Sequence, residues 1–436
     1  MRRIALAVGL AFIPFGAGAT DLLTLYQQAT ESDPQIRAAR ANRDATYEAK
    51  PLARSQLLPN VSVSGDLSYQ NQDIKSSPTL PNGASNDFAS NGLTLSVVQP
   101  LFRKDRLVAL EQAEDQVSQA DAEYAAAEQG LILRVSQAYF GVLSAKDSLA
   151  FAQAEKKAIA RQLDQAQQRF DVGLVAITDV HEAQARFDQA RANEISAINA
   201  VDTAVEALRE IVADAPQAVD QLKDEIPLVS PSPADLGEWT SSALRNNPGI
   251  QSAKLAASIA QKNISAQNAG HYPTVDLVGA LNRSRSDSPL GTDVDTASIG
   301  VQLAVPLYTG GGVTAATRQA RHQYVAAQET LDQQRRAVSR QVRDAYRGID
   351  TSISRVQALN ATKTSALSAL EATEAGFEAG TRTLVDVLNS QSELFRAMRD
   401  YSQSRYDYVL NTLSLLQAEG TLSVEDVERL NGWLEQ

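Results

Sequence analysis

The chain has 436 residues, a formal charge of −12 and no cysteine. The missing thiols exclude a disulfide framework, a thiolate metal site and lipid attachment through an N-terminal cysteine. The acidic balance argues against nucleic acid as a partner.

Met1-Arg2-Arg3, an apolar run over residues 4–15 and Ala17-Gly18-Ala19 predict a secretory signal over residues 1–19, so the mature chain is expected to start at Thr20. Loss of Arg2 and Arg3 takes the charge of −12 to −14. A run of about a dozen apolar residues is too short to span a bilayer, and beyond it no continuous apolar segment of about 18 residues occurs. Any membrane passage must therefore use strands. His181, His271 and His322 are scattered without ligand-like spacing, so no metal or cofactor is expected.

The rest of the chain is one unit written twice. At an offset of about 214 residues, Leu22, Asp33-Pro34, Pro59, Val61, Gly65 and Leu67 fall on Leu236, Asn247-Pro248, Pro273, Val275, Gly279 and Leu281. The first repeat is assigned to residues 20–213 and the second to 236–420. Each opens with a short helix ending near Asp33 or Asn247, followed by a longer one running to Leu58 or His271 and stopped by Pro59 or Pro273. Pro51 lies inside the first of these longer helices and is expected to kink it.

Strict alternation then predicts four strands, near residues 61–72 and 88–99 and near 274–285 and 296–305, each with one apolar and one polar face. Val61, Val63, Leu67 and Tyr69 oppose Ser62, Ser64, Asp66 and Ser68, for example. Such strands suit a membrane barrel, although a half-buried soluble sheet alternates equally well. Four strands cannot close a barrel, so a lipid-facing reading needs several chains. Phe102 and Tyr308, just after prolines expected to end strands, fit an interfacial aromatic girdle.

No proline lies between Pro100 and Pro216, and none follows Pro306, which permits very long helices. Leu110, Val117, Tyr124, Leu131, Ala138, Ala145, Ala152, Ile159 and Ala166 recur every seventh residue, Val342, Ile349, Val356, Leu370 and Phe377 do so with Lys363 between, and Leu388, Phe395, Val409 and Leu416 do so with Ser402 between. A sustained seven-residue period predicts coiled-coil packing. A helix over residues 102–173 would measure roughly 100 Å. Each pattern is interrupted at one glycine, Gly173 or Gly380, and restarts at Thr178-Asp179-Val180 or Val385-Asp386-Val387, with the aspartate suited to a helix N-terminus. These are read as hairpin tips near residues 171–179 and 378–386. Gly310-Gly311-Gly312 lacks the following Lys-Ser/Thr of a phosphate loop and is read as the exit from strand to helix. Residues 214–235, with four prolines, form a linker, and residues 421–436 a terminal segment expected beside it.

Together the predicted signal, the duplicated halves, Pro100-Leu-Phe102 with Pro306-Leu-Tyr308, Thr309-Gly-Gly-Gly312 and the two tip motifs resemble the TolC family of outer-membrane efflux ducts, over essentially the whole mature chain. The resemblance implies an α+β membrane protein: a homotrimer in which long antiparallel coiled-coil helices form an α-barrel across the periplasm. Four strands per chain would then build a shared barrel in outer-membrane lipid, with an equatorial domain from the linker and terminal segments. It further implies docking to a periplasmic adaptor and an inner-membrane transporter of the RND or ABC type, in drug efflux or type I secretion. By the same resemblance Arg382 would bridge to Thr178 and Asp179 at a closed periplasmic end, and Asp386 would ring the pore. Phe377 stands where a tyrosine hydroxyl joins that gate, and Asn389 where a second ring of aspartates would sit. No nucleophile–base pair, metal cluster or nucleotide loop points to an enzyme. The competing reading from another class is a trimeric coiled-coil surface scaffold or adhesin, which the heptads alone allow and the alternating strands and duplicated turns disfavour.

Overall fold

The computed structural model describes residues 20–76, 85–214, 216, 218–288 and 291–435. The predicted signal at 1–19 lies outside them. The first repeat runs α1 (Leu22–Ser32), α2 (Pro34–Tyr47), α3 (Ala49–Ser55), β1 (Asn60–Asp73), β2 (Ser85–Phe102), α4 (Lys104–Asp171) and α5 (Ile177–Val212). The second runs α6 (Leu236–Asn246), α7 (Pro248–Asn268), β3 (Thr274–Ser286), β4 (Thr292–Ala304), α8 (Gly312–Glu378) and α9 (Leu384–Glu419), and α10 (Val424–Asn431) follows. The chain divides into two compact units that cut across both repeats.

One unit gathers the described parts of Met1–Ala38, Ala126–Asn247 and Val338–Gln436. Two of the helix starts here show a side-chain cap on the first turn. The Asp21 carboxylate accepts from the Thr24 amide at 2.8 Å, and Asp235 accepts from the Gly237 amide at 2.7 Å, satisfying donors that the first turn leaves free. Asp33 ends α1 and caps α2, accepting from the Gln35 and Ile36 amides, and Arg134 of α4 donates to it at 2.5 Å. Burial pushes this carboxyl up, but the Arg134 and amide hydrogen bonds outweigh it and hold it below its ordinary range.

The heptad positions supply the packing: Leu131, Ala152, Ile159 and Ala166 of α4, Val342, Ile349, Val356 and Leu370 of α8, and Leu388 and Val409 of α9 are all buried. Two heptad positions that break the apolar series are accounted for. The Lys363 ammonium lies 4.2 Å from the centre of the Tyr401 ring, and Ser402 donates to Asp147, which also accepts from Tyr406 at 2.7 Å. The linker and terminal segment pair with each other and with α9. Leu222 bridges Leu434, the Lys223 amide donates to the Trp433 carbonyl at 3.0 Å, Trp433 stacks on Tyr408, and Arg405 donates to the Lys223 and Asp224 carbonyls.

The other unit comprises Ala39–Ala125 and Pro248–Ala337. Its sheet is antiparallel in the order β1-β2-β3-β4, leaving β1 and β4 as open edges. Register follows the alternation: Val61 faces Val97, Val63 faces Leu95, Leu95 faces Leu281, and Leu277 faces Val301, so the apolar side chains share one face. That face is bare. Leu67 and Ile299 are each 81% exposed. On the opposite face Ser62 bonds Ser96, Ser68 bonds Ser90, and Asn282 donates to Thr94.

Two expectations need correction. The helix expected to continue to Leu58 ends at Ser55; the kink expected from Pro51 is a break at Glu48, because Pro51 has no amide to give the Tyr47 carbonyl. Pro100 does not end its strand. β2 continues to Phe102, which pairs with Val275 across a bulge after Pro100 that accommodates the missing donor. β4 does stop at Ala304, ahead of Pro306.

Candidate functional site

Both hairpin tips lie in the first unit and close α4 and α8 in the same way. At the first, the Gly173 amide donates to the Phe170 carbonyl at 2.8 Å and the Leu174 amide to the Arg169 carbonyl at 2.8 Å; at the second, Gly380 donates to Phe377 at 3.1 Å and Thr381 to Gly376 at 2.8 Å. This is the Schellman pattern, which needs a left-handed residue, and Gly173 and Gly380 have φ of 76° and 74°. Glycine is required at both points because a side chain there would strain the turn.

The restarts differ, and the difference bears on function. At the N-terminus of α9, Thr383 and Asp386 form a capping box: the Asp386 amide donates to the Thr383 hydroxyl at 3.2 Å, and the Thr383 amide donates to the Asp386 carboxylate at 2.9 Å. The Thr383 amide and hydroxyl hold the Asp386 carboxyl below its usual range, and the Arg382 charge adds to them. Asp179 occupies the matching place in α5, but the capping residue there is Ala176, which has no side-chain acceptor. Among the described residues the Asp179 carboxylate has no hydrogen-bonding or ion-pair partner, although its backbone amide donates to the Ala176 carbonyl at 3.0 Å. Thr178 and Arg382 are exposed at their respective tips. Within one chain no hydrogen bond or ion pair joins Arg382 to Thr178 or Asp179 among the described residues.

Phe377 lies between two apolar clusters. One joins Ile159 and Ala166 of α4, Val180 and Ala183 of α5 and Leu384 and Leu388 of α9, and the other joins Leu370 of α8 to Val387 and Leu394 of α9. The Arg169 guanidinium lies 4.6 Å from the centre of its ring. Asn389 accepts from Arg186 of α5 at 3.0 Å, and Arg186 also pairs with Glu182 at 3.4 Å. Sequence reasoning missed both arginines. Arg186 and Glu182, four residues apart on one helix, were the available signal; nothing local pointed to Arg169, whose partner is more than two hundred residues away.

Long paired helices ending in tight tips, on a chain whose four strands leave a bare apolar face, define a class of protein: a channel of the outer membrane. The outer membrane efflux protein family model matches residues 25–214 and 239–421, so the chain belongs to this family, the TolC family. It is 41% identical over 421 residues to the outer membrane protein TolC of Vibrio cholerae, covering 95% of this chain and 94% of that protein. It is 32% identical over 417 residues to the alkaline protease secretion protein AprF of Pseudomonas aeruginosa, covering 94% and 87%. Its fold matches the CmeC outer membrane channel of Campylobacter jejuni with a TM-score of 0.80 at 15% identity, over 95% of this chain and 90% of that one. The protein is an outer-membrane efflux channel, a conduit and not an enzyme.

Proposed function

We propose that three copies assemble into one duct, gated where the hairpin tips meet at the periplasmic end. The apolar strand face meets outer-membrane lipid, and the polar face lines the lumen. The observation that carries the gate is the state of Asp179 and Arg382. A carboxylate left uncapped by Ala176 and an exposed guanidinium, on tips of the same unit, are both available to a neighbouring copy. A guanidinium can donate to the Asp179 carboxylate and the Thr178 hydroxyl together. Phe377 contributes packing rather than a hydroxyl, so the lock rests on Arg382. Asp386 supplies a ring of negative charge at the constriction, and Asn389, tied to Arg186, leaves that ring without a second acid.

A periplasmic adaptor opens the tips and couples them to an inner-membrane transporter of the RND or ABC type. The identity with AprF supports exported protein among the cargo, beside small toxic molecules. Single-channel recording in planar bilayers tests the gate: Arg382→Ser raises conductance while the trimer in detergent stays intact. Wild-type conductance in that variant would withdraw the lock, and a monomer in detergent would withdraw the assembly.

A further inference from the structure

The apolar face of the sheet changes character at one end. The helices join the sheet at Asn60, Phe102, Thr274 and Ala304, and the hairpin connections lie at the opposite end. Toward those connections β3 and β4 are apolar on this face as far as Leu281 and Ala297; beyond them stand Arg283 and Arg285 of β3, facing Asp295 and Asp293 of β4. The repeat puts Tyr69, 73% exposed, at the level of Arg283, in step with Gly65 on Gly279 and Leu67 on Leu281. Tyrosine and arginine above an apolar band suit a membrane interface, where the ring or the stem stays in the apolar layer and the polar tip reaches out.

The heights agree. Strands rise about 3.4 Å per residue and tilt by about 40° in a barrel, so Arg283 and Arg285, eight and ten residues beyond Val275, stand roughly 21 and 26 Å above it. The apolar band of such a barrel is about 25 Å tall. Both guanidinium groups therefore reach headgroup level at the end away from the helices, which is the outer leaflet.

Below them the face is hollow. A groove of about 480 Å³ has Val63, Leu95, Leu281 and Ala297 along its floor and Arg283 and Asp295 at its outer end, and a second of about 320 Å³ continues it past Gly279, sharing Leu95 and Leu281. Gly279 and Ala297 leave this space because they put almost no side chain between larger neighbours. The groove is centred on β2 and β3, away from the sheet edges.

The arginines retain donors for an anion. Arg283 Nε lies 3.7 Å from Asp295 Oδ1, beyond hydrogen-bond range, with the two side chains 69% and 74% exposed, so the pair contributes little. Arg285 is exposed, and its guanidinium has no hydrogen bond or ion pair among the described residues. Two residues apart on one strand face, the groups are about 7 Å apart at their Cα atoms, close enough for both to reach one phosphate. Guanidinium donates to phosphate through paired, charge-assisted hydrogen bonds.

We infer that this face binds a phosphorylated, multiply acylated glycolipid of the outer leaflet, of the lipid A type, with one acyl chain in the groove and a phosphate on Arg283 and Arg285. This rests on the proposal that the apolar strand face meets outer-membrane lipid. A lipid is the fitting occupant because the groove is apolar along its length and carries its arginines only at the headgroup end.

Native mass spectrometry of the detergent-solubilised protein, titrated with lipid A, tests the site. Arg283→Gln with Arg285→Gln is expected to raise the Kd roughly tenfold, as loss of one charge-assisted contact implies. Dephosphorylated lipid A should bind the unaltered chain equally poorly. Ala297→Trp, which fills the groove and leaves both arginines, is expected to raise the Kd several-fold. A wild-type Kd in the arginine variant overturns the phosphate site, and a wild-type Kd in Ala297→Trp overturns the acyl groove. Phosphatidylglycerol bound as tightly as lipid A, and lost with the arginines, overturns the assignment to the outer-leaflet glycolipid. Failure of the unaltered chain to insert into lipid vesicles overturns instead the reading of the strand face as lipid-facing.

Discussion

Ala176→Thr should open the gate without touching either partner of the proposed lock. Ala176 has φ −80° and ψ 154°, and Thr383, at the equivalent place before α9, has φ −94° and ψ 162°, so threonine fits the backbone already present. Its hydroxyl would accept from the Asp179 amide, and the Asp179 carboxylate would turn back to the residue 176 amide, reproducing the box seen at Thr383 and Asp386. The magnitudes decide which use of Asp179 prevails. A capping threonine in place of alanine stabilises a helix start by about 0.5–2 kcal/mol, whereas an exposed ion pair contributes about 0.2–1 kcal/mol. Asp179 should therefore be drawn into its own helix. If each of three seams loses about 0.5 kcal/mol, the total of about 1.5 kcal/mol shifts the open-to-closed ratio roughly tenfold. In planar bilayers A176T should show raised single-channel conductance approaching that of Asp179→Ala, and Ala176→Val, without a hydroxyl, should match wild type. If Arg382→Ser opened the channel and A176T did not, Asp179 would not be the group that receives the arginine.

Asp386→Asn should weaken cation selectivity, read as a shift in reversal potential across a salt gradient. Because the Thr383 hydrogen bonds hold this carboxyl below its ordinary range, wild-type selectivity should be unchanged between about pH 8 and 5, and both it and the capping contribution should fall only as acid passes below about 3.9; a loss near neutrality would refute this.

The α/β division of the chain was legible because its signals are local and periodic. Two-residue alternation set the strands, seven-residue recurrence set the long helices, and a glycine at each tip set the turns. Errors fell where a local rule met a tertiary partner. Pro100 reads as a strand end, yet β3 alongside carries the pairing on to Phe102, while β4, with no strand on its second side among the described residues, stops ahead of Pro306. The Lys363 interruption of the heptad is explained by the Tyr401 ring, which comes from another helix.

At the tips, the sequence by itself determined that Asp179 and Asp386 start helices, since an acid three residues into a helix is favoured whatever surrounds it. Their difference in use is local too, three residues along the chain: Asp386 is held by Thr383, and Asp179 starts its helix after Ala176, which has no side-chain acceptor. Only the tertiary structure decided that Asn389 is held by Arg186 and that Phe377 lies beneath Arg169 and between two apolar clusters. The physical reason is range. Caps, turns and periodic faces are settled within a few residues along the chain, whereas a hydrogen bond or ring contact between helices exists only once packing has brought residues some two hundred apart into reach.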